Sequence, residues 1–166
     1  MNTVHNDELV EYLERNPREG VGVRGFFRVQ IEGGKFGDSG WVENQITNLG
    51  FRNLSTLLGG IAGSSQITHL ALGSGGAPAS NATSLAGEAV VRAAVTAATS
   101  GSTALQLTAT FSSANSFVTS TQNISNIGCF ATSTAATGTL LAGNTYASSS
   151  CATNQNVNAT YTWTFI

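Results

Sequence analysis

After Arg92 the sequence contains no Asp, Glu, Lys or Arg through Ile166, yet it does not read as a disordered polar tail. Disordered segments combine high charge with few β-branched or aromatic residues. Here Val157, Ala159, Tyr161, Trp163 and Phe165 occupy one phase of a period-2 pattern, and Thr160, Thr162 and Thr164 the other. Leu105, Leu107, Ala109 and Phe111 alternate in the same way. That spacing marks half-buried strands. Their outward face is built from hydroxyls and amides in place of charges. Low-complexity disorder is the competing interpretation of a Ser-, Thr-, Asn-, Ala- and Gly-rich composition, and the strand pattern argues against it.

The charges lie elsewhere. Of 16 charged residues, 14 fall within Met1–Arg52, and only Glu88 and Arg92 follow. The formal net charge of −2 excludes a phosphate-seeking basic surface, so no nucleic-acid partner is expected. No apolar run approaches the ~18 residues of a membrane-spanning helix, and no membrane partner is expected. Met1–Asn16 is polar and acidic, without the basic and apolar regions of a secretory signal. A chain of 166 residues is long enough for one domain with a real core. A surface that gives up charge is poorly protected against self-association, which points to a homo-oligomer or a larger assembly.

Residues 1–20 read as an N-terminal arm and residues 21–166 as a β-sandwich domain. In the arm, Asn6 caps a short helix over Asp7–Arg15 that Asn16-Pro17 stops. Leu9, Val10 and Leu13 give it one narrow apolar stripe. A helix this short is marginal alone and needs a docking surface, either its own domain or a neighbouring subunit.

Val21–Glu32 alternates as a strand, Gly33–Asp38 is turn chemistry, and Trp41–Thr47 reads as the return strand of a hairpin. Asn48 is placed to cap a second helix near residues 49–59. Phe51, Leu54, Leu57, Leu58 and Ile61 give it a 3.6-residue period, and Gly59-Gly60 its end. Further strands are expected at Ile67–Leu72, Ala89–Thr96, Ala104–Phe111, Ile124–Ala131, Thr139–Ala142 and Val157–Phe165, with a long loop over Gly73–Gly87. About eight strands at short spacing predict a mainly β fold, an antiparallel β-sandwich or jelly-roll-like domain carrying two helices.

No constellation of catalytic, cofactor-binding or metal-ligating residues emerges. Gly37-Asp38-Ser39-Gly40 resembles the segment around a trypsin-like nucleophile, but only His5 precedes it and Trp41 replaces the glycine that follows in that family. His5 and His69 are far apart and have no zinc-spaced partners, so His69 is expected to be structural. Gly73-Ser74-Gly75-Gly76 lacks the Gly-Lys-Ser/Thr ending of a phosphate loop and is expected to need positive φ angles instead. Glu88 and Arg92 are expected to pair with each other or with N-terminal residues. Cys129 and Cys151 are expected to be buried free thiols. A disulfide between them is the alternative, worth roughly 3 kcal/mol. Four glycosylation-type sequons, at Asn53, Asn81, Asn123 and Asn158, match what chance gives in such a composition.

One ordered set of segments carries a resemblance. Ile46-Thr47-Asn48-Leu49-Gly50 is followed by Ile67-Thr68-His69-Leu70-Ala71-Leu72-Gly73-Ser74-Gly75, Ala77-Pro78, Leu85-Ala86-Gly87-Glu88 and Arg92. Ile127-Gly128-Cys129-Phe130, Gly138-Thr139-Leu140-Leu141-Ala142 and an aromatic last strand come next. The order resembles structural proteins of tailed-bacteriophage virions, both the N-terminal domain of tail-collar fibre proteins and small capsid decoration (cement) proteins. Asn126 stands where that family often has an acid, and Cys129 where it often has Leu. No fibre shaft follows through Ile166, which turns the expectation towards a compact decoration protein bridging neighbouring capsomers. The resemblance implies a non-enzymatic protein on the capsid surface, made in the bacterial host cytoplasm. Its partners would be the major capsid protein, or tail and collar proteins, and copies of itself, most simply as a trimer. It also makes the charged N-terminal third an anchoring region. Tail, collar or baseplate component is the alternative role. A host- or glycan-binding module using Trp41, Tyr146 or Tyr161 is a further one.

Overall fold

The computed structural model describes residues 21–33 and 37–166. The arm and its Asp7–Arg15 helix lie outside the described residues, as does His5. The rest forms the expected antiparallel β-sandwich, two sheets of five strands with one α-helix.

The first sheet has the order β2-β1-β10-β7-β6, with β1 at Val23–Ile31, β2 at Val42–Glu43, β6 at Thr96–Ser100, β7 at Ala104–Phe111 and β10 at Val157–Phe165. The second has the order β3-β9-β8-β4-β5, with β3 at Gln45–Ile46, β4 at His69–Gly73, β5 at Ala93–Ala94, β8 at Gln122–Phe130 and β9 at Leu140–Cys151. Phe27, Val29, Leu107, Phe111, Tyr161 and Trp163 point inward from the first sheet to meet Leu70, Leu72, Ile124, Ile127, Cys129 and Leu141 from the second. The alternation read from β1, β7 and β10 is therefore the inner and outer faces of one sheet.

Two expected strands each prove to be a pair. Trp41–Thr47 divides into β2, which pairs with β1, and β3, which pairs with β9 in the opposite sheet. Asn44 sits at the change of sheet, its N–H donating to Gly25 O at 2.9 Å and its side-chain amide donating to the Tyr161 hydroxyl. Ala89–Thr96 likewise divides into β5, paired with β4, and β6, paired with β7. Val95 makes that change, donating to Thr68 O at 2.9 Å. Strands that switch sheets form corners, and here each side of the sandwich is closed by one. Three of the four edge strands are two residues long, which leaves little unpaired backbone for unwanted pairing.

The helix α1 spans Asn48–Leu58, close to the expected 49–59. Its cap is Thr47, not Asn48. The Thr47 hydroxyl accepts from Gly50 N at 3.0 Å and donates to the carbonyl of Leu140 at 2.8 Å, so one side chain both starts the helix and ties it to β9. Gly50 allows close contact, because a Cβ there would collide with the Leu141 carbonyl. Gly59 and Gly60 end the helix as expected.

Candidate functional site

The Gly37–Gly40 segment borders β1 and is engaged in holding that edge. Arg28 donates through two nitrogens to the Asp38 carboxylate, its Nε at 2.9 Å. Gln30 Nε2 and Gly40 N donate to it as well, at 3.2 and 2.9 Å. These donors, led by the Arg28 guanidinium, hold the Asp38 carboxyl well below the usual carboxylate range. Ser39 Oγ accepts from Val29 N at 2.9 Å and donates to Gly40 O at 2.7 Å. Its hydrogen-bonding capacity is taken up by backbone, and His69 belongs to the other sheet. Among the described residues, Asp38 and Ser39 are thus brought together without a histidine beside them.

His69 begins β4 and its Nδ1 lies 2.9 Å from Thr68 Oγ1. Partial burial, with the Arg92 charge adding, lowers its pKa below that of a free imidazole. Among the described residues no group of three His, Cys, Asp or Glu side chains could hold a metal.

The loop from Gly73 to Gly87 folds back on itself instead of cradling an anion. Ser74 N donates to Gly87 O at 3.1 Å and Gly75 N to Ala86 O at 3.0 Å, so these amides are spent. The glycines here answer a different need from the expected one. Gly73 and Gly75 have ordinary φ, and only Gly87 is left-handed, at +63°. A Cβ on Gly73 would stand 2.5 Å from Asn126 Oδ1 and 2.9 Å from Ala86 O. Close approach, not turn geometry, requires glycine at that position. The buried Asn126 pins the loop, its amide donating to Ala86 O at 2.9 Å and Gly76 O at 3.2 Å.

Glu88 and Arg92 pair with each other, one of the two expected outcomes. Arg92 Nε and Nη2 meet the two Glu88 oxygens at 2.6 and 3.1 Å. Arg92 also donates to Thr132 O at 3.0 Å, Thr132 Oγ1 at 2.8 Å and Thr137 O at 2.9 Å. Its guanidinium lies 3.5 Å from the centre of the Phe130 ring. The Arg92 side chain is fully buried and Glu88 is 6% exposed. This bidentate pair fastens the β8–β9 turn to the loop; buried ions persist only when paired in this way.

Cys129 and Cys151 are both free and buried. Burial pushes both thiols up, Cys129 most, and the Cys129 thiol faces the Tyr161 hydroxyl and the Trp163 indole. Of the aromatic side chains considered for stacking on a sugar, Tyr161 is in the core, stacked on Phe27 at 5.8 Å. Tyr146 meets Phe27 edge-on at 6.0 Å. Trp41 differs, being 56% exposed.

Two surfaces were not legible as sites. The first is the outer face of the first sheet. Its cross-strand rows run Arg28–Thr160–Thr108–Thr96 and Phe26–Thr162–Gln106–Ala98, with Thr110 beside Asn158. Charge gathers at the β1–β2 edge, where Arg24 on β1 reaches Glu43 on β2 at 4.0 Å and Arg28 meets Asp38. The second is a groove of about 320 Å³ at one end of the sandwich, between α1 and the inner faces of β7 and β10. Its residues look like ordinary core in sequence, and only the helix geometry leaves them partly uncovered.

Comparison with family models, curated proteins and solved structures finds no match to this chain.

Proposed function

We propose that the chain is a non-enzymatic structural component of a tailed-bacteriophage virion, and within that class a decoration protein that bridges neighbouring capsomers and stabilises the shell. The observation that supports this most is the outer face of the first sheet, where Thr160, Thr108, Thr96, Thr162 and Gln106 form an uncharged, hydroxyl- and amide-lined surface. Such a face docks without the cost of stripping water from charges and makes many small contacts, which suits multivalent attachment to a repeating lattice. The resemblance in segment order adds to it. So does the use made of Asp38, Ser39, Glu88 and Arg92, each of which holds backbone in place.

In this role the partner is the major capsid protein, the address is the capsid surface, and the oligomer is a trimer. A tail, collar or baseplate position is the second role the same resemblance supports. A glycan-binding role has one specific observation behind it, the exposed Trp41. Glycan-array binding lost on Trp41→Ala would favour it.

Copy number per purified particle, by quantitative mass spectrometry against the major capsid protein, tests the proposal. A number comparable to the capsid protein is expected. A small number matching tail symmetry moves the chain to the tail, and absence from particles refutes both.

A further inference from the structure

The outermost strand of the first sheet, β6, is the one long edge of the sandwich. It has five residues, all exposed, against two each for β2, β3 and β5. Natural sheets blunt such an edge with charge, proline, a bulge or a covering segment. Thr96-Ala97-Ala98-Thr99-Ser100 carries no charge and no proline, and its register with β7 runs without a shift. Among the described residues no strand lies beyond it.

The backbone of β6 is aimed in a defined way. In an antiparallel sheet the N–H and C=O of one residue point to the same neighbour, and successive residues alternate. Phe165 N donates to Thr103 O at 2.8 Å, so the odd-numbered residues that run from there through β7 face β10. Ala104, Gln106 and Thr108 therefore face β6, where they stand opposite Ser100, Ala98 and Thr96. Ala97 and Thr99 are left with N–H and C=O directed away from the sheet. That edge is complementary to itself. With Ala97 opposite Thr99 of a second copy, and Thr99 opposite its Ala97, each pair exchanges two hydrogen bonds and every outward group of both strands is satisfied. The neighbouring registers are poorer. They bring up Val95, whose N–H is spent on Thr68 O, or Gly101, which is left-handed in the turn. Neither β6 nor β7 carries a charge, so no like charges meet as two such edges approach.

We propose that β6 pairs antiparallel with β6 of a second copy about a two-fold axis at Ala98, joining two five-stranded sheets into one of ten strands. The axis runs across the sheet, so both α1 helices fall on the same side of it. Ala97 borders the groove beside α1, and Thr99 of the second copy extends that border. On the opposite side the threonine rows of the two copies become one continuous face. An edge about 17 Å long is a small contact, below the roughly 1,200 Å² of a stable interface. Pairing therefore depends on concentration, and the dilute chain keeps an open edge. The inference does not rest on the virion reading, and a trimer would use surfaces other than this edge.

The test is mild oxidation of Ala98→Cys at high protein concentration, read as covalent dimer on a non-reducing gel. In the proposed register the two Ala98 residues form a non-hydrogen-bonded pair with Cα atoms about 4.5 Å apart, within reach of a disulfide. Cys129 and Cys151 are buried and leave the background low. Thr108→Cys is the control, because Thr108 is also exposed but lies on β7, at least about 14 Å from its counterpart across three strand spacings. Ala98→Cys should give about tenfold more dimer than the control, and adding Thr99→Lys should remove about as much, since an edge lysine opposes pairing. Thr99 is exposed, so the fold is retained, as an unchanged urea midpoint would report. Hydrogen exchange reads the same contact in the unaltered chain. The amides of Ala97 and Thr99 should slow over about a hundredfold rise in concentration, while those of Thr96 and Ala98 do not. Equal dimer from Ala98→Cys and Thr108→Cys overturns the proposal. So does a yield indifferent to Thr99→Lys, or exchange at Ala97 and Thr99 indifferent to concentration.

Discussion

Strands β10 and β8 have the same length and opposite surroundings. In β10 buried and half-buried residues alternate from Val157 to Thr164. In β8 every residue from Asn126 to Phe130 is buried, on both faces. The first sheet covers a core on one side and meets solvent on the other. The second sheet is covered twice. On its outer face Ala71, Leu85, Phe130 and Leu140 form a separate small core beneath the Gly73–Gly87 loop, with Ala82 packed against it. Asn126 pins that loop from below, and the Glu88–Arg92 pair locks its far end to the β8–β9 turn. The only two charges after Arg52 are thus spent sealing one face of the sandwich. The opposite face, away from the ion pairs of its β1–β2 edge, is left with hydroxyls and amides.

Breaking the seal should cost most. Arg92→Ala leaves the Glu88 carboxylate buried without its partner and should lower unfolding free energy by about 3–5 kcal/mol, read from urea denaturation. Leu85→Ala opens a cavity in the small outer core without touching a charge. A loss of about 2–3 kcal/mol is expected by the same method. The open face should tolerate change. Thr108→Ala lies on the outer side of the first sheet and should shift stability by no more than about 0.5 kcal/mol; a larger loss would mean that this face, too, is covered.

The smallest effect belongs to Asp38. Its carboxyl is held below the ordinary value of about 4, so the stability it contributes is fully present above that pH and is lost as pH falls towards the depressed folded value. The pair with Arg28 is exposed and screened. Wild type and Asp38→Asn should differ slightly at neutral pH, less at high salt, and converge in acid.

The contrast between the sheets was half legible. Period-2 alternation marks β1, β7 and β10 because each has one wet face. It fails for β6, Thr96-Ala97-Ala98-Thr99-Ser100, all of whose residues are exposed. It also fails for the outer half of β9, where Asn144–Ser150 lacks large aliphatic side chains; only Thr139–Ala142 reads as strand there, against the Leu140–Cys151 of the structure. The changes of sheet at Asn44 and Val95 depend on what lies across the sandwich, which no local pattern encodes. The Glu88–Arg92 pair could be anticipated, as the only opposite charges in an uncharged region. Its burial over Phe130 could not. The groove stayed hidden because Leu54, Leu105 and Trp163 sit at positions that periodicity assigns to the core.

Native-state hydrogen exchange tests the central claim, that one sheet is sealed and the other open. The amides of Leu70–Leu72 in β4 and Ile127–Phe130 in β8 should exchange only through global unfolding, while those of Thr96–Ser100 exchange through local opening at much lower free energy. In Arg92→Ala, protection across residues 131–139 should collapse first. Equal protection of β6 and β8, or an Arg92→Ala protein whose 131–139 amides exchange as in wild type, would contradict the account.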